Sequence, residues 1–152
     1  MPRVRAKVTV PGLASEAETL WYEPQRWPVW VDGFGHLVKL EGEWPAPGAR
    51  AIWDSKPGGR GRVVERVTAH EARAGQTVEV EDEKLRGTQR VSFKPDGDAV
   101  EVALELEYEL KERNVLTPVA DALFIRRALR DSLRRSLLRL ARERRSDLDP
   151  PI

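Results

Sequence analysis

The stretch that most constrains the fold is the last long one, residues 118–145. After its first residue it contains no Gly or Pro, and it is rich in Leu, Ala and Arg, which all favour a helix. Thr117 is a suitable N-cap, and Pro118 suits the first helical position. At about 100° per residue the apolar side chains form one stripe. Its members are Ala122, Ile125, Leu129, Leu133, Leu137 and Leu140. This stripe must be buried, and the chain before it is the surface available.

That preceding chain reads mainly as strands. Residues 3–10 alternate apolar and polar side chains, and Pro11-Gly12 ends the strand. A short helix, Ala14–Tyr22, follows, and residues 23–31 form an irregular turn or a second short helix. Six further strands are predicted, at residues 36–41, 50–56, 61–70, 76–84, 88–94 and 99–111.

The connections between these strands are short, which favours an antiparallel sheet. Pro95-Asp96-Gly97-Asp98, for example, is typical of a hairpin turn. The sequence therefore predicts an α+β two-layer architecture: a seven-stranded curved antiparallel sheet wrapped around a long C-terminal helix, with two short helices after strand 1. One helix cannot cover so wide a sheet, so part of the concave face needs another lid or remains a cavity.

Composition limits the possible functions. At 152 residues, we expect one domain, residues 1–146, and a frayed tail, residues 147–152. The chain has no Cys, which excludes disulfides and thiolate metal sites. Its two histidines, His36 and His70, lie in different strands, and we predict neither a metal nor a cofactor. No apolar run approaches bilayer length and residues 1–10 do not resemble a signal peptide, so we expect a cytoplasmic protein without stable membrane insertion.

Three blocks of sequence carry a resemblance to a known superfamily. They are ETLWYEPQRWPVWVDGFGHLVKLEG at 18–42, PAPGARAIWDSKPGGRGRVVERVTAHEA at 45–72 and LFIRRALRDSLRRSLLRLARE at 123–143. In this order they resemble the START-like helix-grip superfamily (SRPBCC), which includes polyketide cyclase/dehydrase and lipid-transport proteins. The resemblance covers nearly the whole chain and implies the helix-grip fold. It implies no particular chemistry, because this superfamily spans cyclases, lipid carriers and hormone receptors.

Strand alternation turns several polar side chains toward the interior. Tyr108 shares a face with apolar residues, as a hydrogen-bonded core tyrosine or as a pocket donor. Gln89 also faces inward, where a ligand, a water or a neighbouring strand could satisfy it. Asp82 follows the same alternation, unless a bulge or strand end turns it to solvent. Trp53 is a predicted wall of the interior, and Trp30 lies in the Pro-rich turn that borders the cavity mouth in the superfamily; core packing is the alternative for both.

Arg126 interrupts the apolar stripe of the long helix. A guanidinium group cannot lie unpaired in a core, so it extends past the helix edge, pairs with a protein carboxylate, or meets an anionic ligand group. If it reaches the cavity it should favour acidic ligands. If it faces bulk water, no ligand preference follows from it.

We favour binding of a hydrophobic or amphipathic small molecule in the cavity between sheet and C-terminal helix, with an anionic ligand as one alternative. The competing hypothesis is a polyketide cyclase/dehydrase-like enzyme in the same cavity, with Tyr108 or Asp82 as acid or base. No Ser-His-Asp or Cys-His set supports an enzyme, so no catalytic residue is assigned and enzymatic activity stays open.

The long helix offers two further surfaces that a partner could contact. The outer face of the long helix is Arg-rich, but it lacks the interleaved aromatic residues expected for nucleic acid, and a solvated helix face is the simpler reading. Phe124 and Leu138 lie off the apolar stripe, which leaves a homodimer contact as an alternative.

Overall fold

The computed structural model describes residues 1–111 and 119–149. Seven strands form one antiparallel sheet in the order β1-β7-β6-β5-β4-β3-β2. They are β1 (Arg3–Pro11), β2 (Phe34–Glu41), β3 (Arg50–Ser55), β4 (Arg62–Glu71), β5 (Gly75–Glu81), β6 (Leu85–Asp96) and β7 (Ala99–Leu110). From β2 to β7, neighbouring strands in the sheet are also consecutive in sequence. Strand β1 is the edge strand beside β7, and their antiparallel pairing runs from Arg3 opposite Glu107 to Pro11 opposite Ala99.

The helices lie between β1 and β2 and at the end of the chain. Helix α1 (Ala14–Tyr22) leads through a 3₁₀ turn (Pro24–Arg26) into the single turn α2 (Trp27–Trp30), and α3 spans Val119–Leu148. The predicted helix-grip α+β fold is confirmed: a seven-stranded sheet, a long C-terminal helix and two short helices after strand 1. The proposed caps of α3, Thr117 and Pro118, lie outside the described residues.

The buried face of the sheet alternates as the strand pattern predicts. On β7, the residues Val100, Val102, Leu104, Leu106 and Tyr108 are all buried. Helix α3 packs mainly along β1 and covers this face with its C-terminal half. Leu137 and Leu140 are fully buried there, whereas Ile125, Leu129 and Leu133 are only half-buried. The N-terminal end of the predicted stripe, Ala122, is exposed, because this end of the helix projects past the core.

Most strand boundaries differ from the sequence prediction by one to three residues, and the start of β6 and the end of α3 have identifiable causes. Strand β6 begins at Leu85, and Gly87, which reads as a turn residue, lies within the strand. A β-carbon there would collide with the backbone oxygen of Glu107, so glycine permits the close pairing of β6 with β7. Helix α3 continues through Leu148 instead of ending at residue 145.

The extension of α3 has a clear anchor. Arg26 donates to both carboxylate oxygens of Asp147, at 2.9 and 2.7 Å, and to Glu143 at 2.6 Å. Farther from the chain end, Arg144 donates to Glu16 at 2.7 Å and to the backbone oxygen of Pro11 at 3.1 Å. Position 147 is therefore helical rather than part of a frayed tail, while residues 150–152 lie outside the described ranges.

Candidate functional site

A cavity of about 70 Å³ lies between the concave face of the sheet, the α1–α2 region and α3. Its wall combines six aromatic rings with seven polar or charged side chains, which are Asp32, Arg60, Glu65, Gln76, Gln89, Ser132 and Ser136. The rings that line it are Trp21, Trp27, Trp30, Trp44, Trp53 and Phe34. The chain has five tryptophans, and all of them are in this wall. Three Trp residues come from α1 and α2, so the Pro-rich turn brings its apolar rings over the sheet as a lid.

The rings are held by packing and by hydrogen bonds to the backbone. Phe34 stacks on Trp53 with ring centroids 5.1 Å apart, and Trp21 lies 4.7 Å from Trp30. The indole N–H of Trp27 donates to the Trp21 oxygen at 2.9 Å, and that of Trp44 donates to the Tyr22 oxygen at 3.0 Å. The indole Nε1 of Trp30 is buried and has no acceptor among the described residues. A buried donor without a partner is uncommon in a folded protein.

Glu65 is the acidic residue that the sheet contributes to the cavity wall. It lies on β4 between Val63 and Val67, which are both fully buried on the same face. Its Oε2 accepts the indole N–H of Trp53 at 2.9 Å. Burial raises the pKa of the Glu65 carboxyl, against the opposing effects of the Trp53 hydrogen bond and the Arg60 charge. Glu65 is not among the residues predicted from the sequence, although the alternation of Val63, Glu65 and Val67 indicates that it faces inward.

Arg60 closes the cavity beside Trp53. Its guanidinium carbon lies 5.5 Å from the centre of the Trp53 ring, and its Nε donates to Asp82 Oδ2 at 2.8 Å. Asp82 is buried, and its Oδ1 accepts the backbone N–H groups of Lys84 and Leu85 at 2.7 and 2.9 Å. The Asp82 carboxylate therefore closes the β5–β6 turn and fixes Arg60, and protein groups already satisfy both of its oxygens.

Asp32 connects the end of α2 to α3 at another side of the cavity. Its carboxylate accepts from Ser132 at 2.7 Å, from Arg135 at 3.0 and 3.1 Å and from Arg139 at 3.2 Å. Its backbone N–H donates to Ser136 Oγ at 2.8 Å. Although burial opposes it, the hydrogen bonds from Arg135 and Ser132 bring the pKa of Asp32 below its ordinary value. This cluster fixes the position of α3 relative to the cavity, and sequence periodicity gave no sign of it.

The six candidate ligand-binding residues divide into two groups. Trp30, Trp53 and Gln89 lie in the cavity wall together. Tyr108, Asp82 and Arg126 are not among the described residues that line it. Tyr108 is buried within the core, where burial raises its pKa and the charge of Arg126 opposes that shift. The ligand-binding role of all six stays a prediction.

The placement of Arg126 and Asp82 has a physical reason. Arg126 is exposed, because the half of α3 that carries it extends beyond the core. Asp82 follows the last residue of β5, so it belongs to a strand end, as the alternative interpretation held, but it is buried instead of solvated.

The size of the cavity limits what it accepts in this state. Sites for drug-sized ligands typically enclose roughly 300–1,000 Å³, and a cavity of about 150 Å³ is known to take benzene. At about 70 Å³ the cavity holds a molecule of a few heavy atoms unless side chains move. Within residues 1–111 and 119–149 no group of three or more His, Cys, Asp or Glu side chains is arranged to hold a metal ion.

Comparison with known proteins assigns the chain to a family. The family described as polyketide cyclase/dehydrase and lipid transport matches residues 1–144. The chain belongs to this family. The resemblance to the START-like superfamily in the sequence is thereby confirmed. No curated protein matches the sequence.

Solved structures with the same fold come from several bacteria. A START superfamily protein from Mycobacterium smegmatis is 16% identical with a TM-score of 0.75, covering 97% of this chain and 99% of that one. A protein from Thermus thermophilus is 20% identical with a TM-score of 0.71, covering 98% and 100%. A putative protein in the dynemicin biosynthetic locus is 18% identical with a TM-score of 0.65, covering 95% of this chain and 48% of its own.

At these identities the likeness to the solved structures shows the fold alone. Among the described residues, no helix combines the length and the apolar character that crossing a bilayer requires.

Proposed function

We propose that this protein binds a small hydrophobic or amphipathic molecule, lipids included, in the cavity between the sheet and α3. The observation that carries the proposal is the convergence of all five tryptophans and Phe34 on one cavity that also contains Glu65 and Gln89. Apolar walls with a few polar groups are the usual composition of a small-molecule site. The partnerless indole N–H of Trp30 supports the same reading, because a ligand atom would satisfy it.

Binding of a larger molecule requires the cavity to widen. Arg60 is the wall residue whose movement would widen it, because its side chain is 32% exposed and covers the face of Trp53. This movement would have to break the ion pair that holds Arg60 to Asp82. Displacing the Arg60 side chain would open the face of Trp53 to the ligand. Helix α3, in contrast, is fixed at the cavity by the Asp32 cluster.

The test is to identify what the purified protein carries. Protein prepared under native conditions is denatured and extracted, and the extract is analysed by mass spectrometry. The matched variant is Leu104→Phe, which adds a ring to the cavity wall, and its control is Leu138→Phe on the exposed face of α3. We expect one small molecule in extracts of the wild type and the control, and its loss from Leu104→Phe. An empty wild-type protein that also ignores added hydrophobic molecules would contradict the proposal.

A polyketide cyclase/dehydrase-like reaction is the second candidate. Glu65 favours it, because a carboxyl group with a raised pKa inside a cavity can transfer protons at a reacting carbonyl. Tyr108 and Asp82, the acid or base candidates from sequence, lie outside the described cavity wall, which counts against it. Dehydration of a β-hydroxy ketone to its enone, followed by absorbance, is the assay. A rate above background that Glu65→Gln abolishes would favour the enzyme.

A further inference from the structure

We propose that Glu65 is the polar anchor of this cavity and that it selects an uncharged ligand with a carbonyl or hydroxyl oxygen on an apolar body. The inference rests on the proposed function, because it presumes that the cavity binds a small molecule.

The first argument is the set of polar atoms left without protein partners. Only Oε2 of Glu65 has a hydrogen bond from the described residues, and the donor is Trp53. The ion pair of Arg60 goes to Asp82 and not to Glu65. Trp30, which is 3% exposed, contributes an indole N–H without an acceptor to the same wall. Leaving the buried Trp30 N–H without a partner costs free energy, so a ligand that accepts this hydrogen bond gains affinity. Oε1 of the half-buried Glu65, which has no donor among the described residues, offers the same ligand a second contact.

The second argument is charge. An anionic ligand would be repelled by the ionised form of Glu65 and would find no unpaired cation in the described wall, because Arg60 is paired with Asp82. A cationic ligand would meet the guanidinium of Arg60, which already occupies the face of Trp53. The other charged groups near the cavity are paired: Asp32 with Arg135 and Arg139, and Asp82 with Arg60. An uncharged ligand avoids both repulsions and leaves the existing ion pairs intact.

The protonation of Glu65 agrees with this selection. Burial raises its pKa above the ordinary value of 4.5, and this favours the neutral carboxylic acid. A carboxylic acid has an O–H donor that a carboxylate lacks. The donor can bond to a ligand oxygen, while the Trp30 N–H supplies a second donor from the lid.

Four small ring compounds test the selection. Cyclopentanone has the predicted oxygen, methylenecyclopentane has the same shape without it, cyclopentylammonium carries a positive charge and cyclopentanecarboxylate a negative one. Binding is measured by NMR from the five tryptophan indole N–H signals of ¹⁵N-labelled protein. We expect cyclopentanone to bind about tenfold more tightly than methylenecyclopentane, the ratio that one hydrogen bond supplies. Its affinity should fall as the pH rises above the pKa of Glu65, because the donor is then lost.

Three variants separate the role of Glu65 from a structural one. Glu65→Gln keeps a donor, so the preference for the ketone should remain while its pH dependence disappears. Glu65→Leu removes the donor, so the preference should disappear. Glu109→Gln makes the same chemical change at an exposed position of β7 and should behave as the wild type.

The outcomes distinguish this inference from the proposed function. Equal binding of cyclopentanone and methylenecyclopentane at every pH would overturn the role of Glu65 and leave the cavity a binding site. Preferred binding of cyclopentylammonium, rising with pH, would show a carboxylate site for cations and also overturn it. If no ring compound shifts an indole signal of the wild type, both the inference and the proposed function fail.

Discussion

The indole N–H of Trp53 donates to the Glu65 carboxylate across the β3–β4 pair, at 2.9 Å. The same Trp53 ring stacks on Phe34 and lies under the guanidinium of Arg60. One side chain therefore sets the position of the aromatic wall, of the acidic group and of the residue that closes the cavity.

Replacement of Trp53 by Phe should raise the pKa of Glu65 further. Phe keeps the stacking on Phe34 but removes the N–H donor, and this donor favours the charged form of the carboxyl. A titration of the Glu65 carboxyl carbon by NMR measures the change. A pKa that stays constant or falls would show that the hydrogen bond does not act on the charge.

Glu65→Gln should stabilise the protein increasingly as the pH rises. A carboxyl whose folded pKa lies above its ordinary value of 4.5 contributes most stability below 4.5 and loses it as the pH rises through the folded pKa. Gln does not titrate, so the difference in free energy of unfolding should grow in this window by about 1.4 kcal/mol for each unit by which the pKa is raised. Denaturant unfolding at a series of pH values measures it, and a flat difference would contradict the raised pKa.

Asp32→Asn should have the opposite pH dependence. The folded pKa of Asp32 is lowered, so its contribution is present above the ordinary value of 3.8 and is lost as the pH falls through the folded pKa. We expect a cost of about 1–2 kcal/mol at neutral pH, because Arg135 and Arg139 lose their shared charged acceptor, and a smaller cost in acid. Asp131→Asn, at an exposed position of α3, is the control and should cost little at any pH. A cost that persists unchanged in acid would assign Asp32 a purely steric role.

Two substitutions at Asp82 should separate its two roles. Asn keeps the oxygen that accepts from Lys84 and Leu85 but weakens the pair with Arg60, so we expect a cost of about 1–2 kcal/mol. Ala also leaves those N–H groups without an acceptor, so the cost should be about 2–4 kcal/mol. Thermal unfolding followed by circular dichroism compares them, and equal costs would mean that the turn bonds contribute nothing.

Arg126→Met should leave the free energy of unfolding within about 1 kcal/mol of the wild type, the range usual for exposed positions. It should also leave ligand affinity unchanged, because Arg126 lies outside the described cavity wall. Calorimetric titration with an acidic and a neutral form of the same ligand checks this. Loss of affinity for the acidic form alone would restore the role first considered for this arginine.

The sequence predicted the fold well because its strongest signals are local and periodic. Strand patterns and the turn residues between them located all seven strands, and helix α1 has the predicted bounds, Ala14–Tyr22. The errors lie where tertiary contacts override a local signal, as ion pairs do at the end of α3 and strand pairing does in β6. Gly87 reads as a turn, but it is tolerated inside β6 because β7 approaches it closely there.

The candidate site was harder to predict from the sequence, because its hydrogen bonds and ion pairs join segments that are far apart in the chain. Asp32 follows α2, and its partners Ser132, Arg135 and Arg139 lie on α3, too far along the chain for any spacing rule. Arg126 was difficult to place from the sequence for a different reason. The helical projection places it near the apolar stripe of α3, but only the C-terminal half of that stripe is fully buried. Periodicity shows which face of a helix is apolar and not how much of its length is buried.

Because every tryptophan lies in one cavity wall, intrinsic tryptophan fluorescence should report ligand binding directly. In most proteins some indoles lie far from the site, and their emission dilutes the signal of those that sense a ligand. Here, each of the five lines the cavity, so all of the tryptophan fluorescence originates there. Any molecule that enters should alter the intensity or wavelength of that emission, and unlabelled compounds can be screened against the protein as it is.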